Sequence, residues 1–193
     1  LPISRYGICI RFEMTNKLNR DSIRDGQVFR MLQEQQHVTN IRPLTDAERA
    51  ASLSTFFDAS PGTDVWVFGY GSLMWQPDFP YIERRSGLLR GWHRAHALRS
   101  TVAWGSADRP GLILTMLSGG ECLGTVFRVP AGQWGQTQSY LRQREAAYRH
   151  IQVRVDTPEG PVRALTFAAD PRNPRFIGKQ PLWTSAHLVA QGE

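Results

Sequence analysis

Glu145 is the side chain of this sequence best placed to move a proton. A helix from about residue 133 to residue 149, at 100° per residue, puts Trp134, Leu141, Glu145 and Tyr148 in one narrow stripe. Arg142 and Arg149 then point away. The stripe is otherwise apolar, so the carboxylate projects from the face that turns inward. Burial disfavours its charged form and raises its pKa, which suits a general base. The same spacing also fits a rim glutamate paired with Arg144 or Arg149, and spacing alone does not separate the two readings.

The second chemical feature is Val65-Trp66-Val67-Phe68-Gly69-Tyr70-Gly71-Ser72-Leu73-Met74-Trp75. Four β-favouring residues run straight into glycines. Residues 65–68 read as a buried strand. Gly69 and Gly71 break it, with positive φ open to them and no Cβ to keep a ligand from the backbone. Successive bare N–H groups at a strand end form a cradle for a carboxylate or a developing oxyanion. An ordinary turn has the same Gly-x-Gly pattern, and a dinucleotide fingerprint would need a glycine where Met74 stands. Cradle and buried glutamate together suffice for acyl transfer. Ser72 lies in the cradle, but no His and Asp are placed to complete a triad. Attack then falls to water or to the substrate itself.

The elements that must position these groups follow from pattern. Residues 94–99, 111–117, 122–129, 150–155 and 162–168 read as further strands, with Ser118-Gly119-Gly120-Glu121 as a hairpin turn and residues 104–111 as a loop. Residues 182–190 read as a final helix. Five or six short strands with two or three helices predict an α+β domain built on a small mixed or barrel-like sheet. Upstream, Asn19-Arg20-Asp21-Ser22 resembles a helix start. Thr45-Asp46-Ala47-Glu48 is a capping box, followed by Ala50, Leu53 and Phe57 on one helix face. The expected division is an N-terminal, partly helical extension over residues 1–62 and a core domain over residues 63–193.

Composition narrows the function classes. The 193 residues carry 23 basic and 17 acidic side chains, for a formal charge of +6. The arginines are scattered, with no basic tract and no aromatic–basic run of a nucleic-acid module, so a small anionic substrate fits better than nucleic acid. Cys9 and Cys122 form no disulfide framework and suit a reducing cytoplasm. His37, His93, His96, His150 and His187 show no metal-ligand spacing, no cofactor motif is visible, and no apolar run approaches the ~20 residues of a membrane span. Oligomeric state is not legible.

The strand-to-glycine segment from Trp66 to Trp75 resembles the signature of the ChaC family, the glutathione-specific γ-glutamylcyclotransferases. Similar family segments follow in order: Gly91-Trp92-His93-Arg94, Leu98-Arg99-Ser100-Thr101, Arg109-Pro110-Gly111-Leu112, Gly124-Thr125-Val126-Phe127-Arg128-Val129, Tyr140-Leu141, Arg144-Glu145 and Val162-Arg163-Ala164-Leu165-Thr166-Phe167. Leu18-Asn19-Arg20-Asp21 and residues 45–53 are similar to the extension of bacterial members.

The resemblance implies a γ-glutamylcyclotransferase-like fold, a small β-barrel with flanking helices. It implies conversion of glutathione to 5-oxoproline and cysteinylglycine without a cofactor. The substrate's α-amine would attack its own γ-carbonyl, a reaction favoured by proximity. By the same resemblance, Val67, Phe68, Gly69, Tyr70, Gly71, Ser72 and Leu73 line the γ-glutamyl site, and Glu145 accepts and returns the proton. Tyr148, as a residue that orders the substrate, and Arg99, as one that attracts the glycyl carboxylate, are further candidates. The family's association with cation transport offers another reading, a non-catalytic γ-glutamyl-binding regulator. Two departures stand out. Glu145 is followed directly by Ala146-Ala147-Tyr148, where the family has a longer glycine-containing segment, and the C-terminal helices read as incomplete.

Overall fold

The computed structural model describes residues 62–191, together with Asp25 and Arg30. The expected helix start at residues 19–22, the capping box at residues 45–48, the Ala50–Leu53–Phe57 face and Cys9 lie outside the described residues. So does nearly all of the 1–62 extension.

Strand β1 (Val65–Gly69) is the centre of a five-stranded sheet. Around it lie β2 (Glu83–Gly105), β3 (Pro110–Val129), β4 (Arg149–Val155) and β5 (Val162–Ala168), in the order β2-β3-β1-β5-β4. β1 runs antiparallel to β3 and parallel to β5, so the sheet is mixed. It curls into a half-barrel. At one end Leu88 of β2 and Asp156 beyond β4 exchange backbone hydrogen bonds of 2.8 and 3.0 Å, joining the two edge strands. Two helices complete the α+β fold, α1 (Trp134–Arg144) and α2 (Leu182–Gln191).

Alternation along the strands divides the core in two. One set of side chains, including Phe68, Leu89, Met116, Val126, Val155 and Ala164, comes from all five strands and fills the inside of the curl. The other, including Val67, Phe127, Leu165 and Phe167, packs outward against Tyr140 and Leu141 of α1. β1 contributes Phe68 to the first set and Val67 to the second, so its far end is fixed in both directions. The site is built on that end.

Three expectations change. Ser118-Gly119-Gly120-Glu121 is not a hairpin turn. β3 continues through it, because Ser118 pairs with Trp92 and Glu121 with Arg90 across an irregular register. Gly119, Gly120 and the facing Gly91 take positive φ there, so the glycines bend a long two-stranded ribbon instead of ending it. The 104–111 loop shrinks to a turn, in which Ser106 N–H donates to Arg109 O at 2.9 Å. Finally, α1 stops at Arg144, five residues before the expected end. Residues 149–155 pair fully with β5, and that ladder claims Arg149, the last residue of the expected helix.

Candidate active site

The turn after β1 is compact for a steric reason. A Cβ on Gly69 would sit 2.8 Å from Leu73 Cβ, inside contact distance, whereas one on Gly71 would meet only Leu114 Cδ2 at 3.7 Å. Neither glycine is among the residues with positive φ. Close approach of backbone to backbone, and not the expected left-handed conformation, is what Gly69 supplies. A 3₁₀ turn follows at Ser72–Met74, with Met74 N–H donating to Gly71 O and Gln76 N–H to Ser72 O, both at 2.9 Å. The N–H groups of Gly71, Ser72 and Leu73 find no acceptor among the described residues. They are the unsatisfied donors that open any helical turn.

Glu145 caps the C-terminus of α1, its N–H donating to Leu141 O at 2.9 Å while its backbone leaves the helical region. The following residues fold at once into a turn closed by Tyr148 N–H to Glu145 O at 3.0 Å. The Glu145 side chain is 13% exposed and lies 3.3 Å from Arg144 Nε. The inward face and the paired glutamate therefore describe the same residue. Burial pushes its carboxyl from 4.5 up to about 7, against the charge and hydrogen bond of Arg144, which pull it down.

Arg144 connects the two chemical features. Its Nη2 donates to Ser72 Oγ at 3.0 Å, and its Nη1 donates to Gln76 O at 2.7 Å and to Tyr140 Oη at 3.0 Å. Nη1 also lies 3.4 Å from Asp78 Oδ2. One guanidinium thus ties the glycine turn to the base, reaching Ser72 from 72 positions away. The sequence reading had given Arg144 only the role of a charge partner. Its position next to Glu145 and four residues after Tyr140 was the available signal.

The remaining candidates separate. Tyr70 is 7% exposed just beyond the end of β1, next to Thr115. Tyr148 Oη donates to Leu114 O at 3.0 Å. Burial raises both phenols, and each is raised further by the nearby Glu145, so Glu145, Tyr148 and Tyr70 share one electrostatic neighbourhood. Phe68 belongs to the interior packing, and Val67 and Leu73 to the packing under α1, so their side chains serve the scaffold. Arg99 is exposed on β2; its backbone N–H donates to Arg175 O at 2.9 Å. Arg175, which the sequence reading did not single out, is the buried arginine of this region and lowers the rise in Tyr148. Among the described residues no group of three or more His, Cys, Asp or Glu side chains could hold a metal ion, and no helix is long and apolar enough to cross a membrane.

A model of the ChaC-like protein family matches residues 65–193, from the first residue of β1 through the turn, Arg144, Glu145 and Tyr148. The chain belongs to the ChaC-like family. It is 37% identical over 148 residues to the glutathione-specific γ-glutamylcyclotransferase of Escherichia coli (strain K12), covering 74% of this chain and 64% of that protein. It is 36% identical over 125 residues to glutathione-specific γ-glutamylcyclotransferase 1 of Homo sapiens, covering 61% of this chain and 56% of that one. The chain therefore spans somewhat less than two thirds of the length of these relatives. The crystal structure of the γ-glutamylcyclotransferase specific to glutathione from yeast superposes with a TM-score of 0.62 at 19% identity, covering 66% of this chain and 78% of that one. The fold of this ChaC-like chain is thus the γ-glutamylcyclotransferase fold. Its site combines a carboxyl poised near neutrality with free backbone donors, held together by one arginine.

Proposed function

We propose that this ChaC-like protein is a γ-glutamylcyclotransferase that degrades glutathione to 5-oxoproline and cysteinylglycine. The names of its relatives support the substrate, and the geometry supports the route. The observation that carries the proposal is a buried Glu145 with a pKa of about 7, linked through Arg144 to the turn at Ser72.

In this reading Glu145 takes a proton from the substrate's α-ammonium group. The freed amine attacks the γ-carbonyl carbon, and a new C–N bond closes the five-membered lactam. The bond to the cysteinyl nitrogen breaks as Glu145 returns the proton to it, and the second proton that the new lactam nitrogen sheds ends on the same released amine, which leaves as an ammonium. No enzyme nucleophile is needed, which accounts for the missing triad. A base with a pKa near the working pH transfers protons efficiently in both directions. The N–H groups of Gly71, Ser72 and Leu73 hold the glutamyl carboxylate or the oxyanion. Loss of one oxyanion donor costs about 3 kcal/mol in the barrier. Tyr70, kept protonated by burial, orients the glutamyl chain as a neutral donor, and Tyr148, whose own proton goes to Leu114 O, faces it as a neutral acceptor. Reactants and products balance without a cofactor. The buried free thiol of Cys122 fits a cytoplasmic location.

The test is release of 5-oxoproline from glutathione by the purified protein. Glu145→Gln is expected to abolish release while glutathione still binds. Undiminished turnover in that variant would remove Glu145 from its role. Binding by the wild type with no product over long incubation would select a non-catalytic γ-glutamyl-binding regulator instead.

A further inference from the structure

Arg175 is 5% exposed, and no step of the proposed reaction uses it. Its backbone is held on both sides along the edge of β2. Arg99 N–H donates to Arg175 O at 2.9 Å, Ile177 N–H donates to Ala97 O at 3.0 Å, and Phe176 bridges to Leu98. Its own N–H donates to Asn173 Oδ1 at 2.9 Å. The guanidinium is anchored by one nitrogen only, Nε donating to Arg99 O at 3.0 Å.

The two terminal nitrogens have no acceptor among the described residues, and they are not sealed. The sealed, unpartnered side-chain atoms there are Thr137 Oγ1, Arg142 Nε and His150 Nδ1. A buried guanidinium without an anion is unfavourable unless something arrives to pair with it. With Nε committed, the free pair of nitrogens presents the fork that a carboxylate matches with two parallel bonds.

The order of groups indicates which carboxylate. Tyr148 Oη donates to Leu114 O, and Leu114 is also the side chain nearest Gly71, so Tyr148 and the turn meet at one residue of β3. Leu114 pairs with His96 of β2, beside the Ala97–Arg99 stretch along whose other edge Arg175 and Ile177 are hydrogen-bonded, so Arg175 lies beyond Tyr148 from the turn; the charge of Arg175 is accordingly felt at Tyr148. A substrate whose α-amine is at Glu145, and whose glutamyl end is at the turn tied to Arg144, must pass Tyr148 to reach Arg175. We infer that Arg175 receives the C-terminal glycyl carboxylate of the tripeptide and sets a preference for γ-glutamyl peptides over uncharged γ-glutamyl compounds. The inference rests on the cyclotransferase reading. It moves the carboxylate-binding role expected of Arg99 to the arginine whose side chain grips the Arg99 carbonyl.

The experiment compares glutathione with its glycyl monoethyl ester, using 5-oxoproline release by wild type, Arg175→Met and Arg175→Lys. Hydrogen bonds to a charged group correspond to about 10- to 100-fold. Wild type is expected to favour glutathione over the ester by that factor, mainly through KM. Arg175→Met is expected to lose that factor on glutathione and to stay within about twofold on the ester, with Arg175→Lys recovering part of the loss. Its Tm is expected to hold or rise, since a poorly paired buried charge is removed. Equal losses on both substrates, or a wild type indifferent to the ester, would overturn the assignment. If wild type releases no 5-oxoproline from either compound, the cyclotransferase reading fails. Calorimetric titration of glutathione and ester against wild type and Arg175→Met then still decides what Arg175 binds.

Discussion

Replacing Glu145 by Gln is expected to destroy activity and stabilise the protein, and the size of the second effect follows from the site. Burial raises the carboxyl from 4.5 to about 7. Below about 4.5 it is protonated folded and unfolded, and its titration contributes no penalty. Between the two values the unfolded chain gives up the proton and the folded chain keeps it. Stability therefore falls as pH rises through about 7, and above that the full penalty applies. The rise from 4.5 to about 7, at about 1.36 kcal/mol per pH unit, amounts to about 3 kcal/mol. The attraction of Arg144 is already contained in that net shift, and the side chain is only 13% exposed, so solvent screening is weak.

Glutamine resembles the protonated carboxyl in shape and charge. Glu145→Gln should therefore be more stable than wild type by up to about 3 kcal/mol at pH 8, with the gap closing towards pH 4.5. Urea denaturation of both proteins at pH 5, 6.5 and 8, with m-values compared to check for equivalent unfolded states, measures this directly. Other titrating groups act on both proteins and cancel in the difference. A variant no more stable than wild type at pH 8, or a gap unchanged between pH 5 and 8, would refute the claim that Glu145 is held above its ordinary pKa by burial.

In wild type, kcat/KM for glutathione is expected to rise with pH and level off above about 7; Arg144→Met should move that limb up by at least about one unit, because an opposing charge in contact shifts a carboxyl by about 1–3 units. Arg144→Lys should hold the limb nearer its wild-type position yet lower kcat, since an ammonium cannot span Ser72, Gln76 and Tyr140 at once. His150 is buried against Phe167 at a centroid distance of 4.9 Å and lowered from 6.5 to about 4 by burial and by Arg142. Its neutral state contributes stability that is present above about 6.5 and is lost, to about 3 kcal/mol, as pH falls to about 4; His150→Phe should flatten that part of the urea stability profile. Gly69→Ala should cost about 1–3 kcal/mol in urea unfolding and impair turnover, because its Cβ collides with Leu73, while Gly71→Ala should cost under about 1 kcal/mol.

How far the site was legible depended on which residues shared a local signal. Val65–Gly69 and the glycine break were readable because a short apolar β-branched and aromatic run suits a central strand, and β1 is one. Glu145 was readable from helical periodicity, although Tyr148, placed in the same stripe, reaches it through a turn beyond the helix end. The pairing of β4 with β5 decided that boundary, and such a ladder leaves no mark in the helix's own sequence. Ser118-Gly119-Gly120-Glu121 carries true turn chemistry, and only the facing Gly91 shows that the strand survives it. Arg175 left the weakest trace. Its burial depends on a loop laid along β2, a contact between positions 76 apart in sequence.

The position of Glu145 is a poor one on local grounds. It follows the last turn of a helix, where the backbone carbonyls already place partial negative charge and where a cation or glycine is the stabilising choice. Arg142 and Arg144 do occupy that turn, as the dipole favours. A carboxylate immediately after them is therefore opposed by the helix end and by burial, and favoured only by Arg144. Burial, opposed by the charge and hydrogen bond of Arg144, brings it to about 7. Burial alone would hold the proton too tightly to act as a base, and full pairing at the surface would leave the carboxylate too weak to take a proton from an ammonium. The arginine that moderates the pKa also grips Ser72 and Gln76, so the chain cannot lose the tuning without loosening the turn. That dual use explains why a short Arg-Glu pair carries so much of the site: the position and the proton affinity of Glu145 are both set by the residue before it.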